Sequence, residues 1–332
     1  MIQDIKMVGV KLTNRCNLNC LMCGQRKNTE FIPSDICLEK IKDILSEIYQ
    51  DHKNFEVFLW GGEPLLYSNL PELLEFLRNK HIKTTINTNG VNLGKYAKEL
   101  CSNRVYRIIV SLDGVGELHN QIRGADVFND IVAGIKEIKK EKNMFPFITT
   151  NTVIVKQNYD SLESMADYFT ELGIDYMEWQ LPTFYSDLEG LCYETWCFEK
   201  FGGKAISWRG YQGSYQNIDI DHMLPVLNAI KTKYPKTTRV VPELSEDEII
   251  RYFGEHERVK DKICSIITTQ LRIESNGDVV LCPDFPDTVV GNIYHRSVKE
   301  ILENPVYGIF QNELQEHKGM PLCKKCVMLY EG

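Results

Sequence analysis

The sequence predicts an α/β fold in which six βα units build a parallel sheet, either open or curled into a partial barrel. Two observations predict it. From residue 7 to about residue 184, short β-branched runs alternate with runs whose apolar residues recur at helical spacing. The connections between these runs are short, as in sheets whose strands are linked by crossover helices. A small C-terminal piece that contains a β-hairpin follows.

The strands and helices can be assigned in order along the chain. Each predicted strand is a β-branched or apolar run bounded by turn residues, at 8–13, 55–60, 83–88, 105–110, 147–155 and 174–181. The first helix is predicted from Leu38, Ile41, Leu45 and Ile48, with Ser34 or Asp35 as its cap. The same spacing predicts further helices at 70–77, 94–101, 131–138, 162–172 and 221–234.

Length, charge and hydropathy exclude several classes of protein. The chain has 332 residues and a net charge of −8, from 38 Lys and Arg against 46 Asp and Glu. That length predicts two domains, here 1–235 and 236–332. The acidic balance argues against a nucleic-acid partner. There is no apolar run near the roughly 20 residues of a membrane span and no signal peptide at the N-terminus, so we expect a cytoplasmic protein without a membrane partner.

The cysteines are the unusual part of the composition. There are 11, an odd number, and thiols at this density in a reducing compartment are typical of metal ligands or catalytic groups. Three lie together near the start (Cys16, Cys20, Cys23), and four lie near the end (Cys264, Cys282, Cys323, Cys326). The remaining four are Cys37, Cys101, Cys192 and Cys197.

The first cluster has three cysteines and no histidine nearby in sequence, one ligand short of a closed zinc site. A cubane iron–sulfur cluster held by three thiolates keeps one iron open for a chelating small molecule. Zinc and plain structural cysteines are the alternatives.

The second group can close either a zinc site or a cubane. Its first two cysteines flank a predicted hairpin over 270–281 with the turn Ser275-Asn276-Gly277-Asp278. The residues alone leave zinc and iron–sulfur equally open.

Polar and glycine residues stand where the predicted strands end. Gly61-Gly62-Glu63-Pro64 follows the second strand, Asn89 the third, and Ser111-Leu112-Asp113 the fourth. Each alone is ordinary turn chemistry. Together they line the carboxyl edge of a parallel sheet, where such folds bind ligands.

After the sixth strand the alternation stops. Residues 183–218 are rich in aromatics, among them Tyr215, and contain Cys192 and Cys197. A long loop of this kind is either a lid or wall of a substrate site, or an insertion packed on the barrel rim.

These motifs together resemble the radical S-adenosylmethionine (SAM) superfamily over about residues 7–182. The cluster loop of that family is matched by Cys16-x-x-x-Cys20-x-x-Cys23, and its SAM amino-group motif by Gly61 to Pro64. The segments 87–90, 111–114 and 122–124 are also similar to it. The C-terminal cysteine spacing resembles the twitch domain, a shortened SPASM domain.

The resemblance implies a partial (β/α)6 TIM-like barrel, SAM and two 4Fe–4S clusters, one in the barrel and one auxiliary. Residues that match family positions would bind SAM: Glu63 the ammonium, Arg123 the carboxylate, Ser111 and Asp113 the ribose. Met22 stands where the family commonly has an aromatic residue against adenine, and a thioether fills that position too. Asn89 and Asn151 are further candidates.

The implied reaction is reductive SAM cleavage followed by removal of a substrate hydrogen. An auxiliary cluster closed by four cysteines would accept an electron, so we expect a dehydrogenated or cross-linked product. One alternative is epimerisation with Cys192 or Cys197 as hydrogen donor, and another is a non-catalytic zinc-binding module. A flavodoxin or ferredoxin would supply electrons. Because the cluster loop begins at Cys16, we expect no leader-binding domain before it, and the substrate is a small molecule, a sugar, or a peptide delivered by a separate partner.

Overall fold

The computed structural model describes residues 4–25, 32–212, 217–254 and 258–331. Its strands form one ten-stranded sheet in the order β10-β9-β8-β1-β2-β3-β4-β5-β6-β7. Their bounds are β1 Met7–Thr13, β2 Glu56–Gly61, β3 Lys83–Thr88, β4 Arg107–Ser111, β5 Phe147–Val153, β6 Tyr176–Gln180, β7 Thr238–Val241, β8 Gln270–Ile273, β9 Asp278–Val280 and β10 Val289–Asn292. Strands β1 to β7 are parallel to one another.

Thirteen α-helices lie within the described residues, and the last of them faces the inside of the barrel. They are α1 Leu38–Asp51, α2 Leu70–Asn79, α3 Leu93–Ser102, α4 Glu117–Arg123, α5 Phe128–Glu141, α6 Leu162–Leu172, α7 Asp187–Phe201, α8 Ile220–Lys233, α9 Glu246–Gly254, α10 Ile266–Thr269, α11 Val298–Leu302, α12 Pro305–His317 and α13 Val327–Glu331. None of those within the described ranges is long and apolar enough to cross a bilayer.

Alternation along each strand separates the core from the lumen. In β1, Val8 and Val10 are fully buried beneath the helices, whereas Met7 lines a cavity inside the barrel. This is the period-two pattern expected of a strand whose two faces have different surroundings. The lumen-facing side chains are therefore the ones available for a ligand.

The predicted α/β fold is confirmed, with three differences. The short β7 continues the parallel sheet beyond the six predicted strands. Much of the predicted loop at 183–218 is the helix α7, and Tyr215 lies outside the described residues. The N-cap of α1 is the exposed Cys37 rather than Ser34 or Asp35, because Asp35 instead accepts a hydrogen bond from Thr13 Oγ1 at 2.6 Å.

The C-terminal piece extends the barrel sheet. Its predicted hairpin is present as β8 and β9, which pair antiparallel. Strand β8 also pairs in parallel with β1, from Met7↔Gln270 to Val10↔Ile273. Since β7 lies beyond residue 235 and still belongs to the parallel sheet, we propose that the domain boundary falls after Val241 rather than at 235.

Candidate functional site

The loop after β1 carries Cys16, Cys20 and Cys23, all half-buried and none in a disulfide. Backbone hydrogen bonds fix the loop against the end of α4: Asn19 N–H donates to Arg123 O at 3.3 Å, and Leu21 N–H donates to Ile122 O at 2.9 Å. The three thiols are thus held at the carboxyl edge of the sheet.

The glycines at the end of β2 permit this loop to lie close to the sheet. A Cβ on Gly61 would lie 2.3 Å from Thr13 O, and one on Gly62 would lie 2.2 Å from Arg15 O. Gly62 N–H donates to Thr13 O at 2.8 Å. Any larger residue at either position would push the cysteine loop away from the strand end.

Glu63 lies buried between the ends of β2 and β3. Its side chain is 0% exposed, and its carboxylate accepts hydrogen bonds from Leu65 N, Thr88 Oγ1 and Asn89 N at 2.9, 2.6 and 2.7 Å. Burial raises its pKa to about 7, against the lowering effect of these donors. This carboxylate is thus enclosed by protein and fixes the ends of β2 and β3, and its contact with the SAM ammonium stays a prediction. Pro64 begins the 3₁₀ turn Pro64–Leu66 that supplies one of these donors.

Asn89 connects that strand end to the cysteines. Its side-chain Nδ2 lies 2.8 Å from Asn17 Oδ1 and 3.9 Å from Cys16 Sγ. Its position follows from Glu63, which accepts its backbone N–H.

Arg123 lies between a cluster cysteine and a buried carboxylate. Its Nη1 is 3.6 Å from Cys20 Sγ, and its Nη2 is 2.5 Å from Asp113 Oδ2. Burial raises the pKa of Cys20, and the Arg123 charge partly offsets the rise. Asp113 is fully buried and also accepts Val153 N–H at 2.8 Å, and its contact with a ribose hydroxyl stays a prediction.

His119 belongs to this network and carries no sequence signal. It is fully buried in α4, its Nδ1 accepts Asp113 N–H at 3.3 Å, and its ring packs on Phe128. Burial lowers its pKa to about 3, so the imidazole is neutral at physiological pH.

A cavity of about 450 Å³ occupies the barrel lumen. At one end it is lined by Met22 and Gln25 of the cysteine loop and by Gly61. Asn151 lines its wall, beside half-buried Ser111 in the adjacent strand, and donates to Gln180 Oε1 at 2.9 Å. The cavity has the size of a ligand site.

The four C-terminal cysteines, Cys264, Cys282, Cys323 and Cys326, line one enclosed, mostly apolar cavity. Burial raises the pKa of each thiol, for Cys323 to about 12. In the described part of the chain, no three His, Cys, Asp or Glu side chains are grouped so that they could hold a single metal ion. Four thiols around one cavity are the ligand set of a cubane, in which each thiolate binds its own iron, and equally that of a tetrahedral zinc site.

Three residues form the wall between the two cavities. Pro283, Asp284 and Met328 line both the auxiliary cysteine cavity and the barrel lumen. The lumen thus extends from the cysteine loop to the auxiliary site.

Cys192 and Cys197 lie away from the lumen. Cys192 is exposed on α7, whereas Cys197 is buried near Asp287, and burial raises its pKa to about 11. Five residues apart on a helix, they point in different directions. Neither is among the residues that line the lumen in the described chain, and their role as hydrogen donors stays a prediction.

Comparisons with known proteins agree with this geometry. The family model of the radical SAM superfamily matches residues 10–169, and that of the SPASM iron–sulfur cluster-binding domain matches residues 264–327. The chain therefore contains a radical SAM domain, followed by a C-terminal SPASM iron–sulfur cluster-binding domain. Its cofactors are accordingly SAM and 4Fe–4S clusters, which decides between the zinc and iron–sulfur alternatives.

Two of the similar proteins are named after different reactions. A probable GTP 3′,8-cyclase of Methanococcus aeolicus is 32% identical over 182 residues, 52% of this chain and 58% of that protein. The mycofactocin maturase MftC of Mycolicibacterium smegmatis is 28% identical over 169 residues, 49% of this chain and 41% of that protein. The chain thus matches less than two thirds of the length of these relatives.

Solved structures share the fold over nearly the whole chain. Streptococcus suis SuiB bound to precursor peptide SuiA has a TM-score of 0.68 at 19% identity, covering 97% of this chain and 71% of that one. The enzyme anSMEcpe with bound AdoMet and the Cp18Cys peptide has a TM-score of 0.65 at 17% identity, covering 99% and 88%. The two-part architecture of this chain therefore has solved counterparts.

Proposed function

We propose that this protein catalyses a two-electron oxidation of a substrate bound in the barrel lumen. When bound, SAM and the clusters supply a 5′-deoxyadenosyl radical that removes a hydrogen atom, and an acceptor for the second electron. The substrate also releases one proton, so it loses two electrons and two protons in total, as in a dehydrogenation or an intramolecular cross-link.

One observation carries the proposal: the lumen is bounded by the cysteine loop at one end and by the wall of the auxiliary site at the other. A substrate held there is close to both sites. In this arrangement Cys16, Cys20 and Cys23 hold the SAM cluster, and the four C-terminal cysteines hold a single auxiliary cluster with no open position.

The chain's own residues would bind and orient SAM at the strand ends. Met22, the backbone of Gly61, Ser111 and Asn151 lie at or beside that end of the lumen and would contact it. Arg123, which lies next to Cys20, would bind the SAM carboxylate in exchange for its contact with the thiol.

A peptide is the substrate class that the relatives favour. MftC is named a maturase, and SuiB and anSMEcpe have structures with bound peptides. A small molecule is the second candidate, since a cyclase of GTP is among the relatives. A flavodoxin or ferredoxin would donate electrons, and a separate protein would deliver a peptide. A cytoplasmic location suits free thiols and iron–sulfur clusters.

The test uses anaerobically reconstituted protein with dithionite and SAM. We expect 5′-deoxyadenosine from the wild type and none from Cys20→Ala. Cys323→Ala should keep 5′-deoxyadenosine formation and lose the oxidised product, measured by mass spectrometry with the candidate substrate. Undiminished product in a Cys323→Ala protein that lacks the auxiliary cluster would contradict the role of that cluster.

A further inference from the structure

Most charged side chains inside the barrel are already neutralised by one another. Lys11 Nζ pairs with Glu274 at 2.8 Å. Arg239 pairs with Glu178 at 2.8 Å and with Glu331 at 2.9 Å. These groups need no ligand to offset their charge.

Two lumen arginines differ from them. Arg107 and Arg272 form no ion pair with any residue that the structure describes, and the Nε of each is buried without a hydrogen-bond partner. Arg272 is only 5% exposed, and its guanidinium otherwise donates to Gln270 Oε1. Asp284 lines the same cavity and attracts Arg272 electrostatically, but from beyond ion-pair distance.

The unpartnered atoms of this cavity are mainly donors. Besides the two arginine Nε atoms, Trp60 Nε1 is buried without a partner, whereas Asn87 Oδ1 is the one such acceptor in the described lining. A buried donor without an acceptor is unfavourable, and a buried cation without a counter-ion more so. The cavity therefore suits a ligand rich in acceptors and negatively charged.

Sheet register places the two arginines in one row of paired residues across five strands, and we call this row the arginine level. Arg272 pairs with Gly9, Gly9 with Phe58, Phe58 with Thr85, and Thr85 with Arg107. A Cβ on Gly9 would lie 2.4 Å from Arg272 Nη1, so the glycine makes room for this guanidinium. The Phe58 ring centre lies 5.8 Å from Arg272 Cζ and forms a flat surface beside it.

The arginine level is distant from the SAM end of the lumen. Arg107 begins β4 and Ser111 ends it, which separates their backbones by about 13 Å at ~3.3 Å per residue. An anion at this level is consequently a group of the substrate that is remote from the C–H bond under attack, and not the SAM carboxylate. Remote contacts of this kind orient a substrate for reaction.

We infer that the substrate carries an acidic group, a carboxylate or a phosphate, which Arg107 and Arg272 bind together in the lumen. This inference rests on the proposed function, because it treats the lumen as the substrate site. The fork of each guanidinium matches the oxygens of either group.

Isothermal titration of the reconstituted, SAM-loaded protein tests the site without turnover. The probes are inorganic phosphate and acetate at constant ionic strength, with glycerol as the neutral comparison. We expect one anion site in the wild type and binding at least tenfold weaker in Arg107→Gln and in Arg272→Gln. Preference for one probe identifies the acidic group. Arg107→Lys should retain part of the affinity, and Arg78→Gln, on the exposed face of α2, should bind like the wild type.

A second readout separates ligand binding from a structural role. Removing an unpaired buried cation should leave the melting temperature unchanged or higher, whereas loss of a structural ion pair would lower it. Unchanged anion binding in either arginine variant, or no anion binding by the wild type, would overturn the inference. Formation of 5′-deoxyadenosine, measured separately, shows whether the proposed function itself fails.

Discussion

At the scale of single residues, buried polar groups position the cysteine loop. Glu63 accepts the backbone N–H of Asn89, and Asn89 in turn contacts Asn17 and Cys16. Arg123 connects Asp113 to Cys20 in the same way. Glu63 and Asp113 are therefore enclosed because they hold Asn89 and Arg123, the two residues that contact the cluster cysteines.

The ionisation of Glu63 makes stability depend on pH. Its pKa is raised to about 7 in the fold by burial, so the folded state retains a proton that the unfolded chain releases near pH 4.5. Stability contributed by the protonated form is therefore lost as pH rises through 7. From pH 6 to pH 8 we expect the wild type to lose about 1 kcal/mol more than Glu63→Gln. Anaerobic urea unfolding at both pH values measures this difference.

Glu163→Gln, on the exposed start of α6, is the matched control for that substitution and should follow the wild type. If Glu63→Gln and the wild type lose the same stability between pH 6 and pH 8, the raised pKa of Glu63 is contradicted.

At the scale of elements, the sequence was informative wherever composition or apolar spacing is typical of one type of element. Strand β3 has its predicted bounds because it is a run of β-branched residues, and helix α6 has its predicted bounds because its apolar residues recur at helical spacing. Helix α7 was not predicted because apolar residues lie on both of its faces. Tyr193 is buried, whereas Leu188 is 73% exposed. Such a helix has no one-sided pattern to detect.

The candidate site was likewise predicted only in part from the sequence. The cysteines and the glycine motif have characteristic spacing, and the structure brings each group together. Contacts such as Arg123 with Cys20, or the pairing of Arg272 with Gly9, join residues over 100 positions apart. No local pattern encodes them, and the four-residue strand β7 is recognisable only through its partner β6.

The turn of the auxiliary hairpin supports a prediction of its own. Gly277 has φ +87°, and a Cβ there would lie 2.3 Å from the Tyr294 ring. Gly277→Ala should destabilise the hairpin by about 2 kcal/mol or more, because it combines left-handed backbone with a clash. Since β9 leads directly to Cys282, we expect iron content to fall from about eight to about four per chain. Iron analysis and 5′-deoxyadenosine formation measure the two clusters separately.

Gly308→Ala is the control for the hairpin substitution. A Cβ at this position in α12 meets nothing within 4 Å, and alanine favours the helix. Full iron content in Gly277→Ala would show that the turn does not position the auxiliary ligands.

At the scale of the whole molecule, the two cofactor sites share one sheet and one wall. Strand β8 of the SPASM domain pairs with β1 of the barrel, and β1 leads directly to the first cluster cysteines. Pro283, Asp284 and Met328 separate the auxiliary site from the lumen. The distance between the two sites is consequently determined by hydrogen-bonded sheet and not by a flexible linker.

This continuity predicts that the barrel depends on the SPASM domain. Ending the chain at residue 262 removes β8, so the backbone groups of Met7 to Val10 that pair with it become an open edge. It also uncovers apolar side chains that pack on Leu271 and Ile273. Because a long unpaired edge beside an apolar surface promotes aggregation, we expect the shortened chain to be insoluble or to lack the first cluster.

Coexpression of residues 263–332 as a separate chain should restore part of the soluble, iron-loaded protein. A shortened chain that is soluble, holds about four irons and cleaves SAM would show that the barrel folds independently of this strand.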